Sequence, residues 1–417
     1  MAPTLARSLP LHRSRRRPSA IGSESVALTA QVRGAGPTGA LAALAMAEAG
    51  WNVTLIDPLE ARALCSRQRA YALTHSSRRL LQRLDLWAAL EPHLCPFERL
   101  HLCDRGVGRA LDFGPGDLPQ PSAPAGGDAV GWIVRHSALM ETLLQRLQAH
   151  PAIRLALAQA PGSTPDPGPQ AGAAPADLVL ACDGPASSTR SGAGLAQWRL
   201  PYRQACLTVQ VQLRGSEGHQ AWEVLRPEGP FAVLPLGPGK AQVVWSAPAA
   251  RCRQLQELSD SAFLEQLAAV LPSPLELDGL LDTPRSFPVA LELAPRLHRG
   301  PLLLVGESAH RCHPVGGQGL NLCWRDVAEL HRLAVAVRQG RLPLHRLGSQ
   351  YARRRRLDLL LTLAATDLIV RLFSNRSPLL LPLRHGALAL LARLSILRRL
   401  SLQVMSEGMV PLGPVGR

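Results

Sequence analysis

At 417 residues, with 46% hydrophobic residues, 36 prolines and 35 glycines, the chain can bury a large core and turn often, which excludes a disordered or fibrous protein. Its formal net charge of +15 has the sign of a nucleic-acid binder, but Lys240 is the only lysine, the arginines are dispersed and aromatic residues make up only 4%. No nucleic acid is expected as a partner, and the charge is assigned to an anionic cofactor or a membrane surface.

Residues 1–25 carry Arg7, Arg13, Arg15, Arg16 and Arg17 against one acid, Glu24, with no apolar core. They read as a basic, disordered tail, with an organelle-targeting segment as the alternative. Residues 26–32 read as a strand, 37–49 as an Ala/Leu-rich helix and 51–56 as a second strand, a βαβ opening. Residues 67–94 read as largely helical, 114–130 as a Pro/Gly/Ala-rich loop and 137–147 as an amphipathic helix. The low-complexity stretch 159–176 reads as a surface excursion, and 177–181 as a buried strand. From about 200 to 290 the pattern is β-rich with one helix at 257–271; 302–305 is another buried strand, followed by a glycine-rich turn and a helix to Arg338. The remainder is helical and rich in Leu and Arg. No apolar run reaches the ~20 residues that cross a bilayer; 379–400 comes nearest but contains Arg384, Arg393, Arg398 and Arg399. The eight cysteines show no C-x-x-C pair and no zinc spacing, so no metal site is expected and a reducing, cytoplasmic compartment is.

The interleaving predicts an α/β fold with a discontinuous, Rossmann-like cofactor domain (26–195 and 285–345). A β-rich substrate domain (196–284) is inserted in it, and a helical region (346–417) follows.

Three segments carry chemistry. Gly34-x-Gly36-x-x-Gly39 sits between two strands, with Asp57 ending the second. Its first two glycines let the backbone approach a pyrophosphate at a helix N-terminus, the third allows close helix packing, and the acid suits a ribose hydroxyl. Arg33, just before it, is a charge where an apolar residue is expected, costly if buried. Asp183-Gly184-x-x-Ser187-x-x-Arg190 follows a buried strand and suits a second nucleotide contact, or simply a capped helix start. Gly306-Glu307-Ser308-Ala309-His310 and His313-Pro314-Val315-Gly316-Gly317-Gln318-Gly319-Leu320-Asn321 follow a third strand. There the glycines let backbone amides approach a flat, electron-rich ring and stabilise negative charge on it.

Together these segments resemble the flavoprotein aromatic hydroxylases of the para-hydroxybenzoate hydroxylase fold, and within them the ubiquinone-biosynthesis hydroxylases. Arg69-Ala-Tyr-Ala-Leu73, the stretch 229–236 (GPFAVLPL), Val244-Trp245-Ser246 and Thr366-Asp367 add to the resemblance, which spans about 26–410. It implies that Gly34, Gly36, Gly39 and Asp57 hold the ADP half of FAD and that Arg69 reaches its phosphate or ribityl region. Asp183 and Gly184 would serve FAD and NAD(P)H together. Gly306 and Glu307 would meet the ribityl chain, and Pro314, Gly317, Gln318, Gly319, Leu320 and Asn321 would line the isoalloxazine. Two positions depart from the family pattern, Glu307 in place of Asp and Cys323 in place of Gly.

The resemblance implies hydroxylation of an aromatic ring with NAD(P)H and O2. The Leu/Arg-rich C-terminal helices suit a polyprenyl tail or a membrane interface, or else an ordinary packed bundle, and the expected substrate is a polyprenylated phenol or quinone precursor met by a cytoplasmic protein peripheral on a membrane. No side chain is assigned as catalytic; His310 and His313 are read as structural or flavin-adjacent. A prenyl reductase, a halogenase or a non-catalytic flavin-binding protein are the alternatives.

Overall fold

A computed structural model of the chain describes residues 28–118, 129–159, 175–216 and 218–408. The basic tail 1–25 and most of the loops expected at 114–130 and 159–176 lie outside the described residues.

A six-stranded sheet forms the first layer, in the order His298–Arg299, Leu302–Leu304, Leu178–Ala181, Thr29–Arg33, Asn52–Asp57, Ile153–Leu157. All neighbours are parallel except the first edge pair. Both faces are covered, as a parallel sheet requires, and the strands are correspondingly apolar. Helix Pro37–Glu48 packs against helix Gln318–Arg338, its run of alanines allowing close approach.

A larger sheet stands across the cofactor layer, in the order His310–Arg311, Arg285–Leu293, Trp198–Arg214, Lys240–Pro248, Phe231–Pro235, Gln220–Leu225, Arg99–Asp104, Arg109–Phe113; Glu276–Leu280 pairs with Trp198–Arg214. It is wider than the 196–284 segment expected for it, because the hairpin at 99–113 joins it through a parallel pairing with Gln220–Leu225. One of its faces buries Leu207, Val209, Val224, Phe231, Val243 and Trp245, under helices Ala249–Gln256 and Asp260–Ala268. The other face turns towards the cofactor layer.

The expectation of helix over 67–94 needs correction. Ala70–Leu73 is a strand held between solvent and Gly131–Arg135 in a small three-stranded sheet, and only His75–Arg83 and Trp87–Leu90 are helical there. Partner strands 60 residues away overrode the local preference. The C-terminal helices Leu347–Phe373, Leu381–Arg393 and Ser395–Glu407 close the far side. The buried Arg384 donates to the carbonyl oxygens of Leu372 and Phe373, and Glu407 pairs with Arg79.

Candidate functional site

Four adjacent parallel strands deliver the three motifs to one edge. Arg33 lies in register with Ile56 and Ala181, and Ala181 with Leu304. Gly34, Asp57, Asp183 and Gly306 therefore leave the carboxyl ends of the sheet side by side, where open α/β sheets bind ligands. Gly34, Asp57, Asp183 and, next to Gly306, Glu307 border a cavity of about 1490 Å³, larger than the ~300–1,000 Å³ of ordinary small-ligand sites.

At the first turn Gly34 adopts φ +100°, and a Cβ there would lie 2.5 Å from the Cys182 carbonyl oxygen. A Cβ on Gly39 would lie 1.8 Å from the Gly34 carbonyl oxygen, whereas one on Gly36 would meet nothing within 4 Å. The first glycine makes the turn, the third admits the helix, and the second leaves open space on the cavity side. No side chain caps helix Pro37–Glu48 and no acid sits in its first turn, so its leading N–H groups and positive dipole end are free for an anion. Asp57 holds the turn from the neighbouring strand: Oδ2 accepts the Ala35 N–H at 2.6 Å and Oδ1 the Leu59 N–H at 2.8 Å. Arg33 is exposed and donates to Gln31 at 2.8 Å; the burial cost that its position suggested does not arise.

Arg69 is oriented by a relay. His136 Nε2 donates to the Leu64 carbonyl oxygen at 2.7 Å, leaving Nδ1 to accept from the Tyr71 hydroxyl at 2.8 Å, and the tyrosine oxygen accepts from Arg69 Nε at 2.8 Å. Burial holds the His136 pKa down at about 4, so the ring is neutral and suited to accept. All three side chains line the cavity. Sequence reasoning found Arg69 but not the two residues that aim it.

In the second segment, Asp183 and Gly184 border the cavity, and Asp183 accepts from the Ser187 hydroxyl and the Thr189 N–H. Ser187 caps the short helix Ser188–Gly192. Arg190, in a motif that suits a second nucleotide contact or a capped helix start, is buried and donates to the Ser308 carbonyl oxygen at 2.8 Å. It ties the second segment to the third.

In the third segment Gly306 has φ +71°, and a Cβ would approach Thr38 Cγ2 to 2.8 Å. Gly316 and Gly317 have φ +66° and +63°, a left-handed pair that only glycine adopts without strain; it presents the start of helix Gln318–Arg338 to the cavity. Glu307, Pro314, Gly317, Gln318, Gly319 and Leu320 line the cavity, but Gly39, Gly306 and Asn321 do not. The expectation for Asn321 is corrected. It is fully buried, donates to the carbonyl oxygens of Ala72 and Gly317, and accepts from Thr74 and Ser77. With every polar atom used on the protein, it fastens strand Ala70–Leu73 to the glycine turn.

His310 and His313 also lie off the cavity. His310 Nε2 sits 2.7 Å from Asp326. His313 accepts the Val315 N–H on Nδ1 and donates from Nε2 to Gln204; burial lowers its pKa to about 4. Cys323, packed beneath Gly306, has a thiol raised well above its usual range by burial. It is an apolar filler, not a nucleophile.

The opposite wall was not foreseen in residue detail. From the large sheet it takes Thr208, Glu223, Leu225, Ala232, Leu234, Val244, Arg285 and Phe287. Glu223 is raised to about 8 by burial. Further out, the hairpin at 99–113 and the C-terminal helices contribute Leu100, Phe113, Phe373, Leu388, Leu391 and Leu402, an apolar channel continuous with the glycine cradle.

These shifts set a pH optimum for stability. His136, His313 and His75 fold with pKa values below the ~6.5 of an unfolded histidine, so below that pH the unfolded chain binds more protons and stability falls as pH falls. Glu223, raised above ~4.3, works in the opposite sense up to about 8. Stability is expected to peak near pH 6.5 and decline to either side. Thermal melts of the protein from pH 4.5 to 8 check this; a midpoint that climbs steadily with pH would contradict it.

The FAD binding domain family matches residues 166–359. The 3-demethoxyubiquinol 3-hydroxylase of Escherichia coli is 30% identical over 387 residues, covering 89% of this chain and 96% of the relative. The ubiquinone hydroxylase UbiL of Rhodospirillum rubrum is 31% identical over 406 residues, covering 94% and 92%. Among solved structures, p-nitrophenol 4-monooxygenase from Pseudomonas putida superposes with TM-score 0.72 at 20% identity over 92% of this chain and 99% of that one. A Diels-Alderase of pyrroindomycin biosynthesis reaches 0.69 at 20% identity, over 91% and 80%. The second match shows that this fold alone does not specify hydroxylation.

Proposed function

The chain belongs to the FAD-dependent ubiquinone-biosynthesis hydroxylases, and from that premise we propose that it uses NAD(P)H and O2 to hydroxylate the ring of a polyprenylated phenol. The observation that carries this is the continuity of the cavity. One end is a glycine cradle with an uncapped helix start and the other is a channel of Leu and Phe side chains. That shape suits a dinucleotide at one end and a ring bearing a long apolar tail at the other.

The residues present fit FAD. The turn at Gly34, Gly36 and Gly39 and the free N–H groups beyond it would take the pyrophosphate, Asp57 and Arg33 would flank the adenosine half, and Arg69 would reach the middle of the cofactor. Glu307, whose carboxylate faces the cavity with space to spare, would meet ribityl hydroxyls, and 314–320 would edge the ring system. Bound there, FAD supplies hydride acceptance from the nicotinamide and activation of oxygen. The protein's share is to hold the phenol ring against that edge and keep water out. The Leu- and Phe-lined channel serves both ends, since burying a prenyl tail gains about 0.8 kcal/mol per CH2 and fills the route by which water would enter.

The same C-terminal helices that line the channel expose Leu379 (86%), Leu383 (58%), Leu390 (50%) and Ile396 (59%), beside Arg376, Arg393 and Arg399. No single described helix is long and apolar enough to cross a membrane; two consecutive helices that pass that test together are bent by 100°. An apolar face fringed with arginine suits a lipid surface, and we place the protein there, peripherally, to receive a lipid-tailed substrate.

Purified protein is expected to be yellow and, with NADH or NADPH and O2, to convert 2-farnesylphenol to a product one oxygen heavier by mass spectrometry. A preparation that stays colourless with added FAD, or that makes only hydrogen peroxide, would overturn the reading. For the membrane contact, replacing Leu379, Leu383 and Ile396 together by Glu is expected to abolish flotation with anionic liposomes while leaving FAD content intact. These substitutions are cleaner than truncation, because Leu388, Leu402 and Met405 of the same helices line the site.

A further inference from the structure

We propose that Glu223 is a catalytic residue, the group that takes the proton from the substrate's phenolic hydroxyl during ring hydroxylation. This rests on the reading of the substrate as a phenol given above.

The argument begins with the sheet. Glu223 pairs with Leu102 on one side and Ala232 on the other; Ala232 pairs with Val244, Val244 with Thr208, and Thr208 with Arg285. All six line the cavity. Cross-strand partners share a face, so they form one row across the wall opposite the glycine cradle. In that row Glu223 is the only acid, with apolar neighbours on both sides. The strand's alternation puts Trp222 and Val224 into the core behind the sheet and leaves Glu223 on the cavity side.

Along the row Glu223 lies on the cofactor side, because the Gly316 N–H is close enough to its carboxyl to favour the charged form slightly. The carboxyl therefore sits against the turn that would edge the flavin ring, at the junction between the cradle and the apolar channel. A substrate whose tail fills the channel brings its ring to this junction. Glu223 keeps intermediate exposure although protein encloses it, and what it is exposed to is the cavity.

The electrostatic surroundings leave it without a countercharge. Among the described residues no ion pair reaches it. Arg285 and Arg311 on the sheet and Glu307 beyond the turn share the cavity wall, but none pairs with it. Cys103 and Cys206 lie within electrostatic reach, and burial raises both thiols, so they stay neutral. The strand Phe231–Pro235 and the C-terminal helices bring only uncharged side chains to the cavity. Desolvation then lifts Glu223 to about 8. An ordinary glutamate at ~4.3 is about six units too weak a base for a phenol of pKa ~10, and a base at about 8 is within about two.

The step balances as follows. The phenolic O–H bond breaks and the proton passes to a Glu223 oxygen, giving the neutral acid. The electron pair left on the phenolate oxygen is pushed into the ring, enriching the carbon that takes up the oxygen atom delivered from O2. With NAD(P)H supplying the electron pair, the second atom of O2 leaves as hydroxide and takes the proton that the ring carbon loses, giving water; as the ring regains aromaticity, the phenolate recovers its proton from Glu223 and the carboxylate is restored.

Glu223→Gln keeps the size of the side chain and an oxygen to set beside the Gly316 N–H, but it cannot take a proton. Expected results are an unchanged FAD-to-protein ratio and a drop of about 100-fold or more in kcat for 2-farnesylphenol at pH 8. The wild-type kcat/KM should rise through about pH 8 and level off, and this limb should be absent in the variant. A difluorinated, more acidic 2-farnesylphenol should recover part of the lost rate in the variant. Without NADH, equilibrium binding to the FAD-loaded protein should favour the phenol over its methyl ether at least tenfold in wild type and not in Glu223→Gln or Glu223→Ala. If wild type neither binds nor hydroxylates the phenol, the functional reading fails. If wild type does both and the variants match it in rate, pH profile and ether discrimination, the assignment of Glu223 fails alone.

Discussion

Gly39→Ala is expected to yield a protein that purifies without FAD and melts at a lower temperature than the parent. The added Cβ would lie 1.8 Å from the Gly34 carbonyl oxygen and 3.0 Å from Cys182 Cβ, and since a Cβ has no rotamer to escape into, the backbone must yield. It has little room, because 10 of the 12 residues of helix Pro37–Glu48 are buried, and Gly34 is held by its N–H to the Ile56 carbonyl oxygen at 2.8 Å. Overpacking of this kind costs about 1–3 kcal/mol in stability. The same shift moves the helix N–H groups off the pyrophosphate position, so the loss of cofactor affinity is expected to exceed ~100-fold. Gly36→Ala is the matched control: its Cβ meets no protein atom within 4 Å, so it is expected to lower FAD affinity with no change in the melting temperature of the apoprotein. Absorbance of bound flavin against protein, with melting of both apoproteins, separates the two. If Gly39→Ala retains full FAD, the turn is not the cofactor cradle.

That cradle was legible in the sequence because its requirements are local. A glycine in a turn, a helix start after it and an acid at the end of the next strand are constraints within one 30-residue unit. What the sequence did not convey was direction. Asn321 ends a motif expected to line the ring, and Arg190 ends one open between a nucleotide contact and a helix start; folding spends Arg190 on Ser308 and Asn321 on Ala72, Thr74 and Ser77. A polar residue next to a binding turn must satisfy its own buried atoms first, and nothing in linear spacing says which partners will be near. Glu223 was missed for the converse reason. In Gln220-Ala-Trp-Glu-Val-Leu225 an acid at alternate spacing looks like the solvated side of a strand. Only the parallel pairing with Arg99–Asp104, over a hundred residues earlier, and the C-terminal helices beyond it turn that side into a cavity wall.

Asp326→Asn is expected to destabilise the protein by ~3–5 kcal/mol, the cost of breaking a buried ion pair on one side only. Asp326 is fully buried and serves three donors: Oδ2 accepts from the Gly306 N–H at 2.9 Å and from His310 Nε2 at 2.7 Å, and Oδ1 from Arg355 Nε at 2.6 Å. Buried Arg355 and Asp358 continue the network to Arg325, which reaches Gln318 at the start of the glycine-turn helix. An amide offers one acceptor oxygen where the carboxylate offers two, and it leaves buried Arg355 with only Asp358, which Arg325 shares, as its countercharge. Because Gly306 hangs on the same carboxylate, FAD affinity is expected to fall as well. The sign of the pH effect follows from burial being outweighed by His310 and Arg355, which hold Asp326 below the usual carboxylate range. Its contribution is complete above the unfolded value of ~3.9 and is lost only as pH falls through the lower folded value. The variant should therefore lie below the parent in melting temperature by a constant amount from pH 5 to 7. Adding Arg355→Met to Asp326→Asn should cost less than the sum of the two single changes, since the second removes the charge that the first deprived of one of its two carboxylates. Additive losses would mean that Asp326 acts by packing and not by charge.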